Sequence, residues 1–398
     1  MKGPRIAPLV PRSSERQGRG VRFFARSRRG FRSDISPRKQ DSESRRRTRS
    51  SRARILSPKT ARSSRKANRS ESHDEKGILR QISELEEAGC EIVRLAVPDK
   101  DALEVFERVR RQTEMPLVAD IHFDYRLAVG AIKAGADKIR INPGNIGSRD
   151  RMKKVVEAAA ERNIPIRVGV NSGSLEKDIV EKNGGVTAGG LAESAIRNVG
   201  IVEDMGYDNI VISMKASDVK MTFDAHRIAA GMTEHPFHIG ITEAGTIRRG
   251  KVKSAAGIGA LLLSGIGDTI RVSLTADPVE EVRFGIELLE SIGMRESPYD
   301  LISCPTCGRT GIDLEDLAAR VDSKLSHMKD LPRGIRIAVM GCVVNGPGES
   351  VEADFGCCGG NGKGVIFAKG EVVKTVGEDE LADELINVIR ERTHGKFV

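Results

Sequence analysis

The sequence predicts an α/β barrel followed by a separate, smaller α+β module, and three observations carry that prediction. Short runs of Val, Ile and Leu alternate with amphipathic helical stretches over residues 78–296, the pattern of buried parallel strands joined by crossover helices. From residue 297 to 398 the order changes to helix, strand, hairpin, helix, enough chain for a domain of its own. The length of 398 residues suits a barrel with a small partner better than one ordinary domain.

The barrel pattern opens with a helix at Ile78, where Leu79, Ile82, Leu85 and Ala88 recur at helical spacing before Gly89. Strands are expected at Glu91–Val97, Leu117–Ile121, Lys138–Asn142, Ile166–Asn171, Asn209–Lys215, His238–Glu243 and Thr269–Leu274. Helices such as Arg151–Arg162 and Ala192–Met205 lie between them, and several end at a glycine, as in Ala134-Gly135 and Met205-Gly206. That makes seven strands where a closed barrel of this kind has eight, so the first strand is expected to be missing or replaced. Ala53–Leu56 is the nearest apolar fragment and reads as too short. In the second module a helix carries Leu314, Leu317, Val321, Leu325 and Met328 on one face. A strand follows at Ile335–Met340, then a hairpin over Gly364–Val376 turning at Lys369-Gly370, and a final helix with Leu381, Leu385, Val388 and Ile389.

Residues 1–77 stand apart. Residues 1–75 hold 23 Lys and Arg against 7 Asp and Glu, a net +16, whereas the remainder holds 42 against 49, a net −7. The whole-chain charge of +9 therefore describes a basic leader on a mildly acidic body. The leader is rich in Arg and Ser and offers no face to bury, so disorder is what its composition predicts. A nucleic-acid arm, a transit peptide and an upstream reading-frame error are the three accounts of it. No run of 18 apolar residues suggests a membrane span, and six clustered cysteines point to metal binding in a reducing compartment such as the cytoplasm.

Several expected strands carry polar residues at or near their ends: Asp120 and His122, Arg140 and Asn142, Arg167 and Asn171, Lys215, Glu243, and Arg271 with Ser273, with Arg94 in mid-strand. In barrels the C-terminal strand ends form the active site, so four arginines and a lysine meeting there would make an anion pocket. The alternative for any single Arg is a structural ion pair. Ala255–Gly259 and Gly265-Ile-Gly267 add possible backbone donors for phosphate near the last strand.

Cys304-Pro-Thr-Cys307 supplies two thiolates in one turn, and Cys342 directly follows a strand. Thiolates so spaced suit either zinc or an iron–sulfur cluster. A structural zinc site would want a fourth Cys or His, for which Cys357 and Cys358 are available. The Asn345-Gly-Pro-Gly-Glu349 loop can instead fold back and offer Glu349, an exchangeable carboxylate.

Ser303-Cys-Pro-Thr-Cys-Gly-Arg-Thr310 and Val339-Met-Gly-Cys-Val-Val-Asn-Gly-Pro-Gly-Glu349 closely resemble the 4-hydroxy-3-methylbut-2-enyl diphosphate synthase (GcpE) family. The resemblance extends through Leu117–Asp124, Lys138–Asn145 and Ile241–Gly245, and runs from Leu79 to the C-terminus. It implies a TIM-type barrel followed by an iron–sulfur domain related to sulfite and nitrite reductase modules. The activity implied is reductive ring opening of 2-C-methyl-D-erythritol 2,4-cyclodiphosphate in non-mevalonate isoprenoid synthesis, with electrons from flavodoxin or ferredoxin. It further implies a 4Fe–4S cluster on Cys304, Cys307, Cys342 and Glu349, and a diphosphate pocket of Arg94, Arg140, Arg167, Asn171, Lys215, Arg271 and Ser273. Glu243 would serve acid–base chemistry, Glu349 would leave the metal during turnover, and the chain would form a homodimer. The family's usual opening, a first barrel strand ending in Gln-Ser-Met-Thr-Asn-Thr, is replaced here by unrelated Arg- and Ser-rich sequence. Cys357 and Cys358 also depart from the family and read as small buried fillers.

Two other classes compete with this reading. One is a nucleic-acid binder using the basic leader and a structural zinc site, which the 4% aromatic content, the absence of Trp and the acidic body disfavour. The other is a barrel enzyme with structural zinc, such as an aldolase or a pterin synthase.

Overall fold

The computed structural model describes residues 71–328, 330–342, 352–360 and 362–394, together with the main chain of 54–60. Eight parallel strands form the first sheet. They are β1 (Arg54–Thr60), β2 (Ile92–Ala96), β3 (Leu117–Asp120), β4 (Lys138–Ile141), β5 (Ile166–Asn171), β6 (Ile210–Lys215), β7 (His238–Ile239) and β8 (Thr269–Ile270). Their order is β6-β5-β4-β3-β2-β1-β8-β7. The sheet closes where Ile212 of β6 pairs with Phe237, its N–H donating to the Pro236 carbonyl at 2.9 Å.

The expectation of a missing first strand is therefore corrected. The segment Arg54–Thr60 pairs with β2 on one side and with β8 on the other, in the place where the gap was expected. Pro58 concealed it, because proline has no N–H for a sheet ladder and argues against a strand. The structure accommodates it with an irregularity between Leu56 and Lys59, where the register against β2 shifts. The boundary at residue 78 also moves. A short 3-10 turn at Glu71–His73 and the helix Glu75–Glu87 begin before it.

Local chemistry explains the alternation. Helices that follow strands start behind aspartates whose side chains accept a main-chain N–H: Asp99 from Ala102, Asp124 from Arg126, Asp218 from Met221 and Asp277 from Val279. Helices end as expected at Ala134-Gly135 and near Met205-Gly206, where the glycines take φ of 100° and 80°. Val93, Leu117, Ile139 and Ile166 are completely buried, as strands covered on both faces require. Strands β7 and β8 are shorter than expected, because after two residues each segment leaves the sheet to build the barrel mouth.

The second sheet has five strands: β9 (Tyr299–Ser303), β10 (Ile335–Met340), β11 (Phe355–Gly360), β12 (Lys363–Ala368) and β13 (Glu371–Gly377). Their order is β13-β12-β11-β10-β9, with β9, β10 and β11 parallel and the rest antiparallel. The hairpin turns at Lys369-Gly370, both at positive φ, as a two-residue connection favours. Leu314, Leu317, Val321 and Leu325 of one helix and Leu381, Leu385 and Ile389 of the last pack against Ile337, Val339 and Ile366. Strand β11 was not anticipated, since Gly356-Cys-Cys-Gly359 has the composition of a loop.

Candidate active site

Asp120 ends β3, and strand register sets it beside Arg140 of β4, which in turn stands beside Arg167 of β5. Arg140 Nη1 donates to Asp120 Oδ1 at 3.0 Å, and Arg94 Nε lies 3.7 Å from Asp120 Oδ2. His122 Nε2 approaches the same oxygen at 3.9 Å. Burial alone would raise the Asp120 carboxyl. Arg94, then Arg140 and Arg167, outweigh it and hold the group well below the usual carboxylate range. Gly169 of β5 leaves room for this arrangement, because a Cβ there would stand 3.0 Å from Arg140 Nε.

Across the mouth, Lys215 ends β6 and is buried. Its Nζ meets His238 Nε2 at 3.0 Å, while His238 Nδ1 meets Thr269 Oγ1 at 2.9 Å. Burial, followed by the surrounding arginines, pushes the Lys215 ammonium well below its ordinary value. Arg271 Nη2 donates to Ser273 Oγ at 3.4 Å. These groups enclose a cavity of about 160 Å³ lined by Arg94, Arg140, Arg167, Asn171, Lys215 and Arg271, with Asp120 and Thr242. The structure thus brings together six of the seven residues expected to hold an anion, and Ser273 touches one of them.

The cavity is short of acceptors. Arg167 Nε and Nη1 and Arg271 Nε are buried with no hydrogen-bond partner among the described residues. Burial lowers the Arg94 guanidinium to about 10 and Arg167 well below its ordinary value, with neighbouring cations adding to the effect. Buried donors without acceptors, packed among like charges, define a place for an anion.

Two expectations change. Ala255–Gly259 lies inside the helix Ile247–Leu263 and presents no helix start. Gly265-Ile-Gly267 precedes β8, at the opposite end of the strands from the cavity, and lines a separate open cleft of about 730 Å³ with Phe237 and Asp268. Neither glycine run serves the anion pocket. Glu243 is not among the residues that line the cavity. It follows Thr242 on the rim, exposed, with a left-handed φ of 51°, a conformation uncommon for a residue with a Cβ.

Sequence reasoning missed His238 and Glu281. Glu281 lies one turn into the helix Pro278–Ser291, 4% exposed, and its Oε1 accepts from the Leu274 N–H at 2.6 Å. A signal existed: Pro278, Glu281, Val282, Gly285 and Leu288 share the buried stripe, so a carboxylate occupies a core position.

In the second module, Cys304 follows β9 and Cys342 lies just beyond β10. These strands are parallel neighbours, with Val339 opposite Ser303. The Gly341 N–H donates to Cys304 Sγ at 3.4 Å. Cys307 is exposed, and the Arg309 main chain, then the Thr310 hydroxyl, draw its thiol below the ordinary value, toward the thiolate that binds metal. Cys357 and Cys358 are buried in β11, as the filler reading expects, and burial pushes the Cys357 thiol up to about 12. Glu349 lies outside the described residues.

Fold and cavity together define an α/β-barrel protein whose cavity is lined by cations, with a cysteine-bearing module following in the same chain. Residues 65–286 match the GcpE TIM-barrel domain and residues 300–391 the GcpE protein C-terminal domain, and the chain belongs to the GcpE family. It is 54% identical over 319 residues to the 4-hydroxy-3-methylbut-2-en-1-yl diphosphate synthase (flavodoxin) of Caldanaerobacter subterraneus subsp. tengcongensis, covering 80% of this chain and 89% of that protein. The protein of the same name from Clostridium acetobutylicum is also 54% identical, over 80% of this chain and 90% of its own. Among solved structures, dihydropteroate synthase from Xanthomonas albilineans in complex with 7,8-dihydropteroate superposes with a TM-score of 0.42, at 15% identity, over 60% of this chain and 94% of that one. The family match begins at residue 65, so strand β1 lies outside it.

Proposed function

We propose that this oxidoreductase makes 4-hydroxy-3-methylbut-2-enyl diphosphate by reductive ring opening and dehydroxylation of 2-C-methyl-D-erythritol 2,4-cyclodiphosphate, with the barrel cavity as its diphosphate site. The observation that carries the site is the set of unpartnered guanidinium N–H groups on Arg167 and Arg271, buried in a cavity lined by cations. Arg94, Arg140, Arg167, Lys215 and Arg271 neutralise the two phosphoryl groups, and Asn171 and Ser273 accept or donate at their edge. Asp120 fixes Arg140 and Arg94 in advance, so little reorganisation is needed as negative charge develops on the phosphate oxygen that leaves carbon. Glu243, exposed on the rim beside Thr242, would supply the proton that leaves with the hydroxyl as water.

Cys304 and Cys342 at adjacent strand ends, with the thiolate-favouring surroundings of Cys307, fit a 4Fe–4S cluster completed by Glu349. Bound there, the cluster supplies electrons one at a time, taken from flavodoxin or ferredoxin. The kinship with sulfite and nitrite reductase modules and assembly as a homodimer belong to the same reading. Anaerobic reconstitution followed by turnover with reduced flavodoxin tests it. About four iron and four sulfide per chain, and product formed, are expected. Stoichiometric zinc with no iron, or no turnover by iron-loaded protein, would overturn it.

A further inference from the structure

We propose that Glu281 is a positioning residue for the anion pocket, clamping the exit of β8 so that Arg271 and Ser273 face the incoming diphosphate. The inference rests on the assignment of that pocket made above. After Ile270 the chain leaves the sheet, and three contacts hold it. The Arg271 N–H donates to the Ile239 carbonyl at 3.0 Å, the Leu274 N–H to Glu281 Oε1 at 2.6 Å, and the Thr275 N–H to the Gly245 carbonyl at 2.9 Å. Arg271 is the first of these anchors and Ser273 lies between it and the second, so the Glu281 bond fixes one end of the segment that carries both.

Glu281 is an expensive choice for this task. It is buried, and its Oε2 has no hydrogen-bond partner among the described residues. A buried carboxylate with an idle oxygen costs stability unless something else requires it. The cations of the pocket act on it electrostatically. Arg271, Arg94 and Lys215 all favour its charged form, yet burial prevails and pushes the carboxyl up to about 7. The carboxylate thus reaches from the helix Pro278–Ser291 to the main chain of the β8 exit and ties that segment to the helix. An ordinary stripe residue such as Val282 could fill space there but could accept no hydrogen bond.

The test compares holoenzyme variants by the split of KM against kcat, and by the affinity for inorganic diphosphate. Glu281→Leu removes the acceptor at similar volume and Glu281→Asp shortens its reach. Each is expected to raise KM and weaken diphosphate binding about tenfold or more, with kcat at saturation changed far less. Glu281→Gln keeps a carbonyl in place and is expected to restore both to within about threefold of wild type. Unchanged KM in Glu281→Leu overturns the proposal, and where that variant does not fold, unchanged KM in Glu281→Asp does so. A Gln variant as impaired as the Leu variant overturns it equally. Arg271→Ala separates the two levels: normal diphosphate binding in that variant sinks the pocket assignment itself. Weakened binding there beside normal binding in Glu281→Leu and Glu281→Asp sinks only the clamp.

Discussion

The barrel mouth and the cysteine corner both form where parallel strands end, yet they are built in opposite ways. Arg94 and Arg167 in the mouth are 4% and 3% exposed, and Asp120 and the β8 exit contacts set the shape before any ligand arrives. In the corner Cys307 is exposed, Cys304 and Cys342 are half-buried, and one main-chain N–H is the hydrogen bond to Cys304 Sγ among the described residues. On the function proposed above, the difference reflects how long each ligand would stay. A substrate that comes and goes is bound well only by a site organised beforehand. A resident metal group completes the structure that holds it, so its ligands need no rigid frame of their own.

The sharpest break of this comparison is at the corner. Cys304→Ala or Cys307→Ala is expected to lose all iron and all turnover, while leaving the barrel folded; iron and sulfide analysis beside circular dichroism checks it. Full iron in both variants would remove the corner from the metal site. In the mouth a single loss is graded instead. Arg167→Ala should weaken diphosphate binding by about 1.5–3 kcal/mol, since other cations remain, and titration calorimetry reads this directly.

Acidity separates the regions further. Burial raises the Glu281 carboxyl from 4.5 to about 7, so between those values the folded protein holds a proton that the unfolded chain has lost. Stability must then fall as pH rises through that window and level off above it. Glu281→Gln has no charge to bury, so its Tm relative to wild type should climb by a few degrees between pH 4.5 and 7. A constant difference across that range would show that the carboxyl titrates normally. The smallest effect is expected at the buried thiols of β11. Cys357→Ala should keep its full iron and lose about 1 kcal/mol in denaturant unfolding, the ordinary cost of a small core truncation.

What the sequence revealed depended on how each feature is encoded. Lys138–Ile141, Ile166–Asn171, Ile210–Lys215 and Ile335–Met340 were legible because buried parallel strands are short segments rich in Ile and Val. Strand β1 was not, because Pro58 and a lone Ile55-Leu56 pair are poor strand chemistry, and its neighbours in space supply what its own residues lack. The pocket cations could be named from their places on the expected strands, Lys215 at a strand end and Arg94 and Arg167 within theirs. Asp120 was seen there too, but its role as the anchor of Arg94 and Arg140 needed the register of β3 against β4. Glu281 was hidden in the acidic first turn of a helix, where a carboxylate usually serves the helix dipole.

The sheet is unevenly sewn. Strands β5 and β6 are in register from Ile166 and Ile210 through to Asn171 and Lys215, whereas β8 meets β1 only at Arg54 with Thr269 and Ile55 with Ile270, and meets β7 at the same two of its residues. Main-chain amides around the barrel should therefore exchange with deuterium at graded rates, slowest across β5–β6 and fastest at β7–β8–β1. Thermal breathing of the barrel would begin at that seam, one strand away from Lys215 and directly beneath Arg271. The side of the pocket that a helix carboxylate has to brace is thus the side where the sheet itself gives way first.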